Sequence, residues 1–345
     1  MHRFVHHAIA DSTRRSYGAA VDRYKEFCVA HLPPYSIHPS ALTPFIAAEW
    51  LASLATKRVL ASATIKSYSS ALSTWFVEGT LSDSLNPIES IVVQRTLKGI
   101  VRELRPAEVQ AREAASAPVE LTPALLAQVE QYARPPGCGN LELMLWAAAN
   151  IGTYGLLRPS EFLGSHQHRD RALLPEQITF YAKPDSMLSM PLLPPGTHVD
   201  HCPFPDRFVI ALGATKADQL GSNAPLPVAA APAVRALWRW IHLRRDSMPA
   251  PGSRLFCLPS SAPLACSELL LAVQQWLSAL GFVDPIVRGR TFRRGGASSL
   301  MAAGTPQVDV AAAGRWRSQA MPLVYSNAAS MQSRAVEVSR QMAPH

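Results

Sequence analysis

A chain of 345 residues with 48% hydrophobic and 17% charged side chains has the balance of a folded protein, which excludes wholesale disorder and predicts two domains at roughly 100–200 residues each. Its longest strongly apolar stretch, residues 141–152, is interrupted by Glu142 and Asn150, too short for a bilayer span of roughly 18 residues; residues 1–10 hold no apolar leader run, so an intracellular protein with no membrane partner is expected. The net charge of +8 favours an anionic partner such as nucleic acid, while five scattered cysteines without a CxxC pair point to reduced thiols rather than disulfides or zinc.

In chain order, Tyr17, Val21, Tyr24, Phe27 and Cys28 recur at helical spacing from Asp11 to about Leu32. Thr43-Pro44, a capping residue followed by proline, opens a second helix to about Thr56. A third carries Ile65, Tyr68, Leu72, Trp75 and Phe76 from Ser62 to Glu78 and is expected to stop at Gly79. A fourth covers about Ile88 to Leu104. These form a helical domain over 11–104. Residues 105–118, poor in packing groups and holding Pro106, read as a linker, and a second domain spans 119–345. It begins with helices at Pro123 to about Arg134 and from near Leu141. It then changes to short β-like runs between 177 and 229 (QITFYA, RFVIALGA, APLPVA), predicting a small antiparallel sheet. Helices resume at 231–246, 267–280, 292–303 and 306–313, with a last one after Ser326. The fold class is thus mainly α with a small antiparallel β-sheet.

Four segments carry candidate chemistry. IGTYGLLRPSEFLG (151–164) places Arg158 after a glycine-containing turn with Glu161 three residues on. ALGATKADQLGSNAPLPV (211–228) reads as a hairpin with Lys216 near its tip. GRTFRRGGASSL (289–300) groups Arg290, Arg293 and Arg294 beside two glycines that let something approach the backbone. GRWRSQAMPLVYSN (314–327) sets Trp316 nine residues before Tyr325. Taken singly, these are also what a local ion pair, a solvated hairpin lysine, a solvated basic face and a core tyrosine look like.

Their order resembles the catalytic half of the tyrosine recombinase (phage integrase) family over about residues 150–330, and the preceding helices fit that family's core-binding domain by pattern. The resemblance implies a SAM-like helical domain followed by the DNA breaking-rejoining fold, both gripping one duplex as a C-shaped clamp. It implies that Tyr325 attacks a phosphodiester to form a 3′-phosphotyrosyl link, that Arg158 and Arg293 hold the non-bridging oxygens, and that Lys216 protonates the leaving 5′-oxygen. Trp316 supports the phosphate through its indole N–H, and Glu161 holds the site together. No metal, ATP or other cofactor is implied, and the spacings of His166, His168, His198, His201 and Cys202 match no zinc pattern. One position departs: where the family usually has histidine, this chain has Arg290, which can donate to a phosphate but cannot act as a base.

Arg14, Arg15, Lys57, Arg58, Lys66, Arg95 and Lys98 in the first domain, with Arg288, Arg294, Arg315 and Arg317 in the second, are candidate DNA contacts; a solvated face explains the first group as well. The expected partners are double-stranded DNA with specific, inverted-repeat sites and other copies of the chain, as a tetramer on synapsed DNA docked through residues 326–342. The phrases GLLRPSEF, TKADQ and GRWRS are most similar to recombinases of eukaryotic mobile elements of the crypton or DIRS type, which implies a nuclear location. The rival readings are a type IB-like topoisomerase with related chemistry and a catalytically silent, domesticated DNA-binding protein.

Overall fold

The computed structural model describes residues 11–31, 37–81, 85–114, 118–163, 172–183, 188–213, 225–246, 252–257 and 262–316. The chain divides into two compact units, Met1–Ala117 and Pro118–His345.

The first unit contains helices α1 (Asp11–His31), α2 (Pro44–Thr56), α3 (Ser62–Thr80) and α4 (Ile91–Ala114). The Thr43-Pro44 signal works as read: the Ile46 N–H donates to Thr43 Oγ1 at 3.3 Å. Tyr24, Trp50 and Trp75 meet edge to face beneath the helices, and Trp50 stacks on Tyr68, so the aromatic stripes are core. Two boundaries differ from the sequence reading. Gly79 does not end α3; Leu81 does, in the left-handed conformation with φ 54°. A Cβ on Gly79 would lie 2.3 Å from Pro39 Cγ, so this glycine serves the close approach of the short 3-10 turn Pro39–Ala41. Helix α4 begins after a 3-10 turn at Pro87–Glu89 and runs through the first ten residues of the expected linker, with Pro106 inside it. The extension is held non-locally: Glu108 accepts the Ser62 N–H at 2.6 Å and the Ser62 hydroxyl at 3.0 Å. It thereby caps α3, whose N-cap residue Ala61 has no side chain to do so.

In the second unit, Thr122 caps α5 (Pro123–Ala133), and α6 (Asn140–Tyr154) is buried on nearly every side from Met144 to Thr153. The apolar run of residues 141–152 is therefore a central core helix, packed on α8 (Ala231–Asp246) and α9 (Cys266–Ala279), with Trp146 against Trp276. No helix among the described residues is long and apolar enough to cross a membrane. A single turn, α7 (Pro159–Phe162), follows α6. The strands are β1 (Ile178–Tyr181), β2 (Ser189–Met190), β3 (Arg207–Ile210) and β4 (Leu226–Val228). They form one antiparallel sheet in the order β2-β1-β3-β4, with Phe180 opposite Phe208 and Phe208 opposite Val228. This face packs on α8 through Phe180 and Trp238, ring centroids 4.7 Å apart. The two-residue β2 had no sequence signal, and Pro227 sits in an edge strand, where a missing N–H is tolerated. Helices α10 (Thr291–Ala302) and α11 (Gln307–Ala313) complete the unit. The helix expected after Ser326 lies outside the described residues.

Candidate functional site

The site forms where the end of α6, the start of α10 and the end of α11 meet. After α6 the chain turns at Gly155, where a Cβ would lie 2.6 Å from the Ile151 carbonyl. It then passes through Leu156 in the left-handed region, φ 49°, and leaves Arg158 extended as the N-cap of α7. Pro159 starts that turn and Glu161, its third residue, folds back so that its Oε2 accepts the Arg158 N–H at 3.0 Å. Sequence spacing alone predicted that Arg158 and Glu161 share a face, and the Arg158 guanidinium donates to Glu161 Oε1 at 2.9 Å.

Helix α10 brings Arg293 to the same carboxylate. Its side chain is 2% exposed and donates to Glu161 Oε1 at 3.1 Å and to the Gly314 carbonyl. Trp316 lies against it, the guanidinium carbon 4.9 Å from the ring centroid. The two glycines that follow show what approaches α10. A Cβ on Gly295 would lie 2.1 Å from the Leu121 carbonyl, and one on Gly296 would lie 2.3 Å from the Thr153 carbonyl. The chain's own backbone fills both places. Leu156, Ala297, Met301 and Val310, with Trp316 packed against them, form a small apolar floor.

A third arginine joins them. Arg315, expected to face DNA, points inward and donates to Glu161 Oε2 at 3.2 Å. Burial pulls its pKa below the ordinary arginine value, the Glu161 charge opposing and Arg158 adding to the fall; a guanidinium remains cationic at neutral pH regardless. Three guanidiniums thus share one carboxylate whose side chain is 6% exposed. The cluster keeps two uncompensated positive charges. Arg158 is its most open member at 27% exposure. Such an arrangement can bind a doubly charged anion through fixed, bidentate donors.

The remaining candidates lie elsewhere. Arg290 is exposed as the N-cap of α10, where its carbonyl accepts the Arg294 N–H at 2.8 Å and its side chain makes no capping hydrogen bond; Arg288 is exposed beside it. Arg294 turns to Glu120 at 2.7 Å, and Ser298 donates to the same carboxylate. Arg14 pairs with Glu78 at 2.9 Å, and Arg58 stands 3.7 Å from Glu103. Arg15, Lys57, Lys66, Arg95 and Lys98 are exposed. Lys216, Arg317 and Tyr325 lie outside the described residues, as do His166 and His168. His198 stacks on His201, and no group of three His, Cys, Asp or Glu among the described residues could hold a metal.

Solved structures share this fold. The Tn1549 transposon integrase in complex with transposon right-end DNA matches 97% of this chain and 95% of its own, with 14% identity and a TM-score of 0.58. The same integrase with a circular-intermediate DNA matches 98% of this chain and 97% of its own, with 14% identity and a TM-score of 0.57. The XerH site-specific recombinase bound to palindromic difH substrate, in a post-cleavage complex, matches 91% of this chain and 75% of its own, with 16% identity and a TM-score of 0.58. No protein-family model and no curated protein sequence matches the chain. The fold is that of these integrases and recombinases, as the motif resemblance implied.

Proposed function

We propose that this chain is a site-specific DNA recombinase that cuts and rejoins strands through a 3′-phosphotyrosyl link, in the movement or integration of a mobile element. The observation that carries the reading is the double positive surplus around Glu161, built by Arg158, Arg293 and Arg315 on a fold shared with DNA-bound integrases. A phosphodiester is an anion, and its transition state gathers more charge on the non-bridging oxygens. Preorganised guanidinium forks stabilise that charge without metal, each donor contributing on the order of 10²–10³ in rate.

In this scheme Tyr325 gives up its hydroxyl proton to water, its oxygen bonds to phosphorus, the bond from phosphorus to the 5′-oxygen breaks, and Lys216 supplies the proton to that oxygen. Rejoining is the reverse attack by a 5′-hydroxyl. Arg158 and Arg293 hold the non-bridging oxygens, and Trp316 keeps Arg293 in place by stacking. Arg290, one turn before Arg293, adds a donor and a charge that favours ionised tyrosine. DNA is gripped mainly through phosphates, so binding falls steeply with salt.

The test is to incubate the purified chain and its Tyr325→Phe variant with nicked duplexes from the flanks of its own gene, and to run denaturing gels. A covalent protein–DNA band with the native chain only is the expected result. DNA binding without any band would turn the assignment to a silent DNA-binding protein, and relaxation of supercoiled plasmid lacking such flanks would turn it to a topoisomerase.

A further inference from the structure

We propose that Arg315 is a positioning residue for strand cleavage, presetting Arg158 and Arg293 through one inward-facing guanidinium. The proposal rests on the DNA-cleaving reading above. Neither the local sequence, which gives only a charge beside Trp316, nor the motif resemblance assigns Arg315 this place.

Three observations support it. The first is direction. Arg315 is one of five non-glycine residues with positive φ among the described residues, at 54°, a conformation glycine adopts freely and arginine does not. That turn follows Gly314, whose carbonyl accepts from Arg293, and leads into Trp316, which stacks on Arg293. The backbone of 314–316 therefore holds Arg293 together with Glu161, and the conformation of Arg315 sets that backbone.

The second is reach. The Arg315 guanidinium donates to Glu161 Oε2 at 3.2 Å, the oxygen that also accepts the Arg158 N–H. Nη1 approaches the Gly155 carbonyl at 3.4 Å, and Nη2, the nitrogen on Glu161, also approaches the Leu156 carbonyl at 3.5 Å. Gly155 and Leu156 make the turn that presents Arg158, and Leu156 is itself in the left-handed region. One side chain thus ties the turn before Arg158 to the turn that anchors Arg293.

The third is exposure. Arg315 is 15% exposed while Arg158 is 27% exposed, so Arg158 offers the open edge to a phosphate and Arg315 supports from behind. Arg293, at 2%, needs its neighbours fixed because it has no room to readjust.

The experiment compares Arg315→Gly, Arg315→Lys and Arg158→Ala with the native full-length chain, using nicked duplexes from the gene flanks. Adduct formation is timed at saturating DNA, with DNA affinity by filter binding and the thermal midpoint measured alongside. Glycine suits φ 54° and so removes the guanidinium while leaving the turn intact. Arg315→Gly should slow adduct formation about 10- to 100-fold, the scale of a small misplacement of catalytic groups, with DNA affinity within about twofold and the thermal midpoint little changed. Arg315→Lys should recover part of the rate by restoring the charge without the planar fork. Native-like rate in Arg315→Gly, alongside a dead Arg158→Ala, overturns the role of Arg315 alone. So does a fall in rate matched by equal falls in affinity and midpoint, or a lysine variant no faster than glycine. A native chain that forms no adduct overturns the cleavage reading and this role with it.

Discussion

In the first unit one arginine meets one carboxylate, Arg14 on Glu78, across α1 and α3; in the second, three arginines meet one, Glu161. The first pair is a strut: its charges cancel, each side chain is about a quarter exposed, and nothing is left over to attract a ligand. The second cannot be explained as a strut, because a single carboxylate can neutralise only one of its three partners. A surplus of buried like charge is costly to maintain. Arg294 with Glu120 and Ser298 is of the first kind, although it neighbours Arg293 in sequence.

The largest expected effect tests the shared carboxylate. Glu161→Gln keeps the volume and leaves three guanidiniums facing a neutral amide, so urea unfolding of the full chain should show a loss of about 3–5 kcal/mol, the scale for breaking a buried pair. A loss below about 1 kcal/mol would place the cluster with exposed ion pairs. Next comes Gly295→Ala, whose new Cβ would meet the Leu121 carbonyl; the cost should be roughly 1–3 kcal/mol. The matched control is Gly99→Ala in α4, where nothing lies within 4 Å. That change should stabilise by roughly 0.5–1 kcal/mol, and equal effects at both sites would mean the close approach is soft.

A buried polar group with no charge to balance supplies a third case. His242 in α8 lies against the Trp238 carbonyl through Nδ1, and its Nε2 accepts the Leu193 N–H at 3.0 Å. Burial holds its pKa below the usual histidine value of 6.5, so the folded state favours the neutral ring. Its contribution is complete above about pH 6.5 and is lost as pH falls toward the lowered folded value, by at most about 1.4 kcal/mol per pH unit for one proton. Unfolding measured from about pH 7.5 down to about 5 should show this slope, and His242→Gln should flatten it. The smallest effect belongs to the strut: a double-mutant cycle on Arg14 and Glu78 should give about 0.2–1 kcal/mol and leave adduct formation unchanged.

Much of the fold was legible because its signals are local. Thr43-Pro44 and Thr122-Pro123 carry their own caps, and the β-like runs at 177–182, 207–214 and 224–229 are set apart by proline- and glycine-rich turns. The misreadings share a cause, which is that the deciding contact comes from far along the chain. Gly79 looked like a helix stop because glycine serves both a left-handed cap and a close approach, and only Pro39 decides which. Residues 105–114 looked like a linker because the contact that holds them, Glu108 to Ser62, is 46 positions away. At the site, the Arg158 and Glu161 spacing was readable. The direction of Arg315 was not, because sequence gives the charge and only the backbone turn gives the side it faces. Gly295 and Gly296 were rightly read as a place of close approach, but the visitor is the chain's own backbone.

Glu161 precedes Arg293 by 132 positions and Arg315 by 154. During synthesis at ~5–20 residues per second, the carboxylate therefore stands with only Arg158 for on the order of ten seconds before its other partners are made. The double surplus cannot form until the ribosome has passed Arg315. The three-arginine arrangement around Glu161 is thus among the last features of the described chain to assemble.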